Sequence, residues 1–300
     1  MLDQAENLRQ LVRQVNTGKT NDNEEEELSI RKIDNKSKVI TIASGKGGVG
    51  KSNLVINLAF ALSSMGAKIL IFDADIGMSN DHVLMNVKVK YNVFDLINKN
   101  LDIDDVKVKG PMGVDLISGG SALDKIYSMS EDERNIFMKK LSKLENYDFI
   151  LIDTGAGINK DILSFISACD ELIVVTTPEP TSITDAYSLV KTVNYFKMKS
   201  KVNIVINKSL YKEEGISTFN RFKLVADKYL NLKLEFLGYI LDDRKLTESV
   251  REQKPVFIKY PNSSSSKNIK DISKRLYYFE EKDEKHGLQR FFKNMFSLFS

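Results

Sequence analysis

Residues 39–52 decide the fold: Val39-Ile40-Thr41-Ile42-Ala43-Ser44-Gly45-Lys46-Gly47-Gly48-Val49-Gly50-Lys51-Ser52. The apolar run 39–43 reads as a strand, and a helical pattern follows over 53–64. Between them, Gly45 to Ser52 fits G-x-x-x-x-G-K-[ST]. Glycines let the backbone wrap an anion closely, so that successive N–H groups point inward. The helix adds the positive end of its dipole to the same place. Lys51 is then placed for the β- and γ-phosphates of a nucleotide, and the Ser52 hydroxyl for Mg²⁺. Gly45, Lys46, Gly47, Gly48, Val49, Gly50, Lys51, Ser52 and Asn53 are the expected phosphate-side residues.

The rest of the composition is that of an ordinary globular chain. Of 300 residues 42% are apolar and 28% charged, enough for a packed core. A net charge of +3 is too small to argue for a nucleic-acid partner. Cys169 is the only cysteine, which excludes a disulfide framework and any within-chain Cys-x-x-Cys site. The polar, acidic start has no apolar core of a signal peptide, and no run approaches the length of a membrane span. A cytoplasmic setting is the expectation.

Outward from the glycine loop, apolar runs alternate with helical stretches. Strands are expected at 39–43, 68–73, 114–118, 149–153, 172–177, 203–207 and 234–240. Helices are expected at 53–64, 131–143, 160–168, 183–196, 218–229 and 269–279. Several strand runs are continuous Ile/Val/Leu/Phe, as in strands covered on both faces. The fold class is therefore α/β: a single doubly wound, mostly parallel sheet with helices on both sides. Ligands of such sheets bind beyond the carboxyl ends of the strands, where the glycine loop lies.

Two further strand tips carry acids. One ends Phe72-Asp73-Ala74-Asp75-Ile76-Gly77, the other Ile152-Asp153-Thr154-Gly155-Ala156-Gly157. Mg²⁺ takes few protein ligands and keeps waters, so Asp73 and Asp153 suit its outer shell. A further carboxylate is able to orient the attacking water for in-line displacement. The strand ending Ile206-Asn207-Lys208-Ser209-Leu210 addresses the base. Guanine readers use Asn-Lys-x-Asp there, and Leu210 cannot accept a hydrogen bond, so the expected nucleotide is ATP, with Asn207 beside it.

Both ends of the chain look detachable. Residues 1–16 carry Leu8, Leu11, Val12 and Val15 at helical spacing. The polar stretch 17–37, with four consecutive glutamates from Glu24, reads as a linker. A helix so short is marginal alone and suits folding on a partner. The other end, after the charged run 280–285, places Leu288, Phe291, Phe292, Met295, Phe296, Leu298 and Phe299 in one arc of about 160°. Arg290 and Lys293 lie opposite, which suits an anionic membrane surface or a partner groove. Packing on the domain's own core is the competing reading, and the charged run argues against it.

The motif Lys46-Gly47-Gly48-Val49-Gly50-Lys51-Ser52 resembles the deviant phosphate loop of the MinD/ParA ATPases, a SIMIBI branch of the P-loop NTPases. The resemblance covers about residues 38–280. It implies an ATPase in which Lys46 reaches across a homodimer to the partner's ATP, with Asp75 positioning the water and Asp153 in the second switch. Thr154-Gly155-Ala156-Gly157 departs from MinD's Ser-Pro-Ala-Gly but resembles the family's flagellar branch. Asp3-Gln4-Ala5, with Leu8 and Arg9, is similar to the activator motif of that branch, the FlhG (YlxH, FleN) regulators of flagellar number and placement. The likeness implies stimulation of FlhF, an SRP-type GTPase, with Gln4 near the nucleotides. It also implies a C-terminal membrane helix, peripheral attachment at the inner face of the cell membrane, and switch-ring proteins or a flagellar transcription regulator as further partners. A division-site MinD shares core and anchor without the Asp-Gln-Ala helix. A ParA-type DNA partitioner needs a basic face, and an iron–sulfur carrier needs cluster cysteines.

Overall fold

The protein is described by a computed structural model over residues 37–75, 80–120, 129–144, 147–278 and 287–297. The expected activator helix at 1–16, with Asp3, Gln4, Ala5, Leu8 and Arg9, lies outside these residues, as do the linker before residue 37, Ile76, Gly77, Leu298 and Phe299. The described residues form eight strands: β1 (Lys38–Ser44), β2 (Ile69–Ala74), β3 (Val108–Lys109), β4 (Asp115–Ser118), β5 (Phe149–Ala156), β6 (Glu171–Thr176), β7 (Lys201–Ser209) and β8 (Lys233–Leu241). They form one sheet in the order β3-β4-β2-β5-β1-β6-β7-β8. Every pairing is parallel except that of the edge strand β3 with β4. The strands expected from the apolar runs are all there; β3, two residues long, carries no periodic signal.

The register places the acids. In β2 and β5, Asp73 is the partner of Asp153, and Asp153 in turn faces Ile42 of β1. Neighbours in a parallel ladder send their side chains to the same face, so two carboxylates stand side by side at the carboxyl ends. The helix α1 (Lys51–Ser63) begins directly after the glycine loop and is buried along most of its length. Shorter helices follow: α2 (Asp81–Leu84), α3 (Asp95–Asn98) and α4 (Ile103–Val106). Then come α5 (Glu131–Leu141), α6 (Lys160–Ala168), α7 (Pro180–Tyr195), α8 (Lys212–Tyr229), α9 (Arg244–Arg251), α10 (Val256–Lys259), α11 (Ser264–Tyr278) and α12 (Gly287–Ser297). On one face of the sheet α1 packs against α11 in a core with Ile40, Ile42, Ile71 and Leu151.

The opposite face corrects one expectation. The arc of α12 does not stand off the domain: Leu288, Phe291, Phe292 and Met295 are buried and Phe296 is 7% exposed. They share a core with Phe72, Phe137 and Phe165. Phe292 meets Phe72 edge-on at 5.7 Å and Phe137 at 5.2 Å, Phe291 stacks on Phe165 at 6.0 Å, and the Arg134 guanidinium lies 5.2 Å from the Phe296 ring. The Gly287 N–H donates to the Ser37 carbonyl at 3.0 Å. The physical reason is complementarity within the chain. The helix finds an apolar groove between the sheet and helices α5 and α6, and a charged connector does not prevent the chain from returning to it.

Because Phe292 is fully enclosed, Phe292→Ala should cost about 3–5 kcal/mol. Urea denaturation measures it; a loss near zero would mean that α12 is not part of the core in solution.

Candidate functional site

The loop between β1 and α1 takes its shape from its surroundings. The Ser44 hydroxyl donates to the Lys46 carbonyl at 3.0 Å, which turns the chain at its start. At Gly45 any Cβ would lie 2.2 Å from the backbone carbon of Asp185 in α7, and at Gly50 one would lie 2.3 Å from Asn207 Nδ2. Gly50 also has a φ of 91°, a conformation costly for other residues. Two residues of β7 brace the loop from across the sheet. Asn207 Nδ2 donates to the Val49 carbonyl at 2.7 Å, and Lys208 Nζ to the Gly48 carbonyl at 2.8 Å.

The two loop lysines point to different places. Lys51 Nζ lies 2.5 Å from Asp153 Oδ1, with Asp153 about 1% exposed. Lys46 Nζ instead meets Glu179 Oε2 at 2.7 Å and Thr181 Oγ1 at 2.9 Å, at the start of α7. The Lys46 ammonium, with Lys208 further off, holds the Glu179 carboxyl below the usual carboxylate range. Asp75 lies over the second glycine turn, and a Cβ built on Gly155 would be 3.4 Å from its Oδ1. Asp73 accepts from the N–H of Asp75 at 3.2 Å and from that of Asp81 at 3.3 Å.

A cavity of about 840 Å³ opens over the loop, a volume that suits a nucleotide. Gly47, Gly48, Val49, Gly50, Lys51, Ser52, Asn53, Asp75 and Asn207 all line it, so the structure brings the expected residues together. Gly45 and Lys46 are outside its wall; Asp73 and Asp153 sit behind Lys51. Leu210 is not on the wall either: its side chain is 70% exposed and its N–H donates to Glu214 Oε2 at 2.6 Å. At Leu210, therefore, an acceptor for guanine is missing; the side chain makes no contact with the cavity.

Sequence reasoning missed the far wall, built by Leu241, Asp242, Leu246, Val250 and Arg251. The rule that finds the glycine loop at a strand's carboxyl end also points to the end of β8, where these residues begin. Asp243 fixes that wall. Burial pushes its carboxyl upward, but the Ser265 N–H and hydroxyl and the Lys245 N–H outweigh burial and hold it below the usual range. The bonds tie α9 to the start of α11, which packs on α1.

The donor set fits a Mg²⁺-nucleotide. The open crest at Gly47 and Gly48 has no atom within 4 Å of a built Cβ, Ser52 lines the cavity, and buried acids stand behind it. Among the described residues no three acidic, His or Cys side chains form a metal cage by themselves; a nucleotide-bound Mg²⁺ is carried largely by phosphates and water.

The fold and this loop define a P-loop NTPase, and over residues 35–277 the chain matches the family described as "ParA: NUBPL iron-transfer P-loop NTPase". The chain belongs to the ParA/MinD family of ATPases. It is 35% identical over 271 residues to the flagellum site-determining protein YlxH of Helicobacter pylori, spanning 88% of this chain and 92% of that one. Identity to the antiactivator FleN of Pseudomonas aeruginosa is 32% over 239 residues, 79% and 85% of the two chains. These likenesses put it in the family's FlhG-type branch. Among solved structures, the MinD cell division protein of Aquifex aeolicus superposes with a TM-score of 0.65 at 25% identity, covering 83% of this chain and all (100%) of that one. Cys169 is buried, its thiol donating to the Ile166 carbonyl at 3.2 Å.

Lys51→Met removes the cation from buried acids, so it should lower stability by about 3–5 kcal/mol and abolish ADP binding; urea melts and ADP titration test both. The Asp243 brace has the acid-sensitive sign. Its folded pKa is depressed, so the stability it gives is present above about pH 4 and fades as pH falls through the folded value. Thermal melts between neutral and acid pH should show that step in the wild type and a smaller one in Asp243→Asn.

Proposed function

We propose that this ATPase is an ATP-driven switch: it dimerises on ATP, associates with the inner face of the membrane, and controls flagellar number and placement. The observation that carries the reading is the position of Lys46. Residues 47–53 line the cavity, while Lys46 turns out of it to Glu179 and Thr181. A phosphate-loop lysine that does not serve its own cavity is available to a second molecule's. Crossing would exchange the exposed Glu179 carboxylate for a triphosphate, a denser anion.

Within such a dimer Lys51 would hold the β- and γ-phosphates, Ser52 would take the Mg²⁺, and Asp73 and Asp153 would hold its waters. Mg²⁺ neutralises phosphate charge. Asp75, at the cavity wall, orients the water for in-line attack, and Lys46 from the partner stabilises the charge that develops. Hydrolysis removes the γ-phosphate that keeps the two lysines crossed, so the dimer loosens.

The outputs follow from the two ends. The arc of α12 that suits a lipid surface is the arc now buried against Phe72, Phe137 and Phe165, so membrane binding requires the helix to leave its groove. The Asp3-Gln4-Ala5 motif, with Leu8 and Arg9, stimulates an FlhF-type SRP GTPase, Gln4 orienting the attacking water. Likeness to YlxH and FleN favours this over division-site selection, for which the Asp-Gln-Ala motif has no use. Switch-ring proteins or a flagellar transcription regulator are the proposed readers of the dimer.

Lys46→Ala should still bind ADP yet stay monomeric with ATP in analytical ultracentrifugation; ATP-dependent dimers of this variant would remove the lysine from the interface. A peptide of residues 1–16 should accelerate GTP turnover by an FlhF-type GTPase, and Gln4→Ala should abolish the effect. An active GTPase that ignores the wild-type peptide favours the division-site reading.

A further inference from the structure

Behind Lys51 lie more buried acids than its one ion pair accounts for. Asp73, Asp81 and Asp153 are each about 1% exposed, and Lys51 is the cation paired among them. Two of the three acids have donors. Asp153 accepts from Lys51 at 2.5 Å, and Asp73 from the backbone N–H groups of Asp75 and Asp81. Asp81 differs: as a carboxylate, neither Oδ1 nor Oδ2 is met by any donor. Burial first, then repulsion from Asp153 and Asp73, raises its pKa well above the ordinary value, with Lys51 the counter-influence. The hydrogen bond open to it is as a protonated acid, donating to Asp153.

Neither local structure nor packing explains such a residue. An acid in the first turn of a helix gains from the dipole, but α2 has four residues and an exposed acid would gain as much without desolvation. A buried carboxyl without a donor is a cost that an apolar residue of the same size would avoid. The imbalance also worsens in use. One lysine cannot neutralise Asp153 and a nucleotide's phosphates together, so a Lys51 that turns to phosphate leaves less positive charge beside Asp153 and Asp81.

We propose that Asp81 is a third carboxylate of the nucleotide's Mg²⁺ site, holding the ion's water shell from behind Lys51 together with Asp73 and Asp153. This rests on the reading of the glycine loop as a Mg²⁺-nucleotide site. Mg²⁺ keeps several waters and takes few protein ligands directly, in keeping with three acids that form no closed cage. As a carboxylate, Asp81 offers two oxygens that no protein donor meets, and water on a divalent cation is a strong donor. Carboxylates in this outer position fix the orientation of what the metal binds, and their loss weakens metal affinity without touching the ligands themselves.

The test uses the full chain saturated with ADP and titrated with Mn²⁺, read by the EPR signal of free Mn²⁺, for wild type, Asp81→Asn and Asp81→Ser. ADP affinity in EDTA is measured alongside. Both variants should bind Mn²⁺ roughly 10-fold or more weakly, with metal-free ADP affinity kept within about two-fold. Unchanged Mn²⁺ affinity overturns the proposal. Loss of metal-free ADP binding in both variants overturns it too, because Asp81 is then a residue of the fold. Wild-type protein that binds ADP but retains no Mn²⁺ refutes the Mg²⁺ reading of the loop itself, an outcome separate from the first two.

Discussion

The ion pair between Lys51 and Asp153 is the contact on which the rest of this structure depends. It is buried, and burying two charges gives back little net stability. Its value is positional. Lys51 is the first residue of α1, Asp153 lies near the end of β5, and their meeting fixes where the helix starts relative to the strand tips. The register of β2 against β5 then sets Asp73 beside Asp153. One lysine thus holds a pocket of acids together in the conformation that a phosphate group would meet.

The loop around that pair is held by the end of β7 and by the start of α7. Asn207 and Lys208 grip its crest, and Lys208 does so with a φ of 55°, a backbone state that a non-glycine residue keeps only where its surroundings impose it. Lys46 is kept off the cavity by α7. Two cations of one short loop therefore have separate anchors, so a ligand that draws Lys51 does not automatically draw Lys46. That separation makes room for a device with two inputs, a nucleotide and a second surface.

Much of this was legible in the sequence because the signals are local. A continuous apolar run reports a doubly covered strand, and a glycine loop reports a backbone wrapped around an anion. Asp81 was not legible: it is one acid among 41 acidic residues, and only the fold brings it to Asp73 and Asp153. The far wall, from Leu241 to Arg251, carries no motif: the end of β8 and the short helix α9 become a wall only where the fold brings them to the cavity. Residues 288–296 show the limit from the other direction. Periodicity gave their apolar arc correctly, but an arc does not say what covers it, and here it is the chain's own core.

The hydrogen bond from Gly287 to Ser37 gives the molecule a single threshold. Ser37 precedes β1, and the glycine loop follows the far end of the same seven-residue strand, about 23 Å away at roughly 3.3 Å per residue. The chain thus enters its sheet, and begins its closing helix, at the end opposite the nucleotide mouth. A cargo or surface attached at that threshold leaves the mouth unobstructed. The same span sets the length of the central strand, with the aromatic layer beside it, between ligand and attachment.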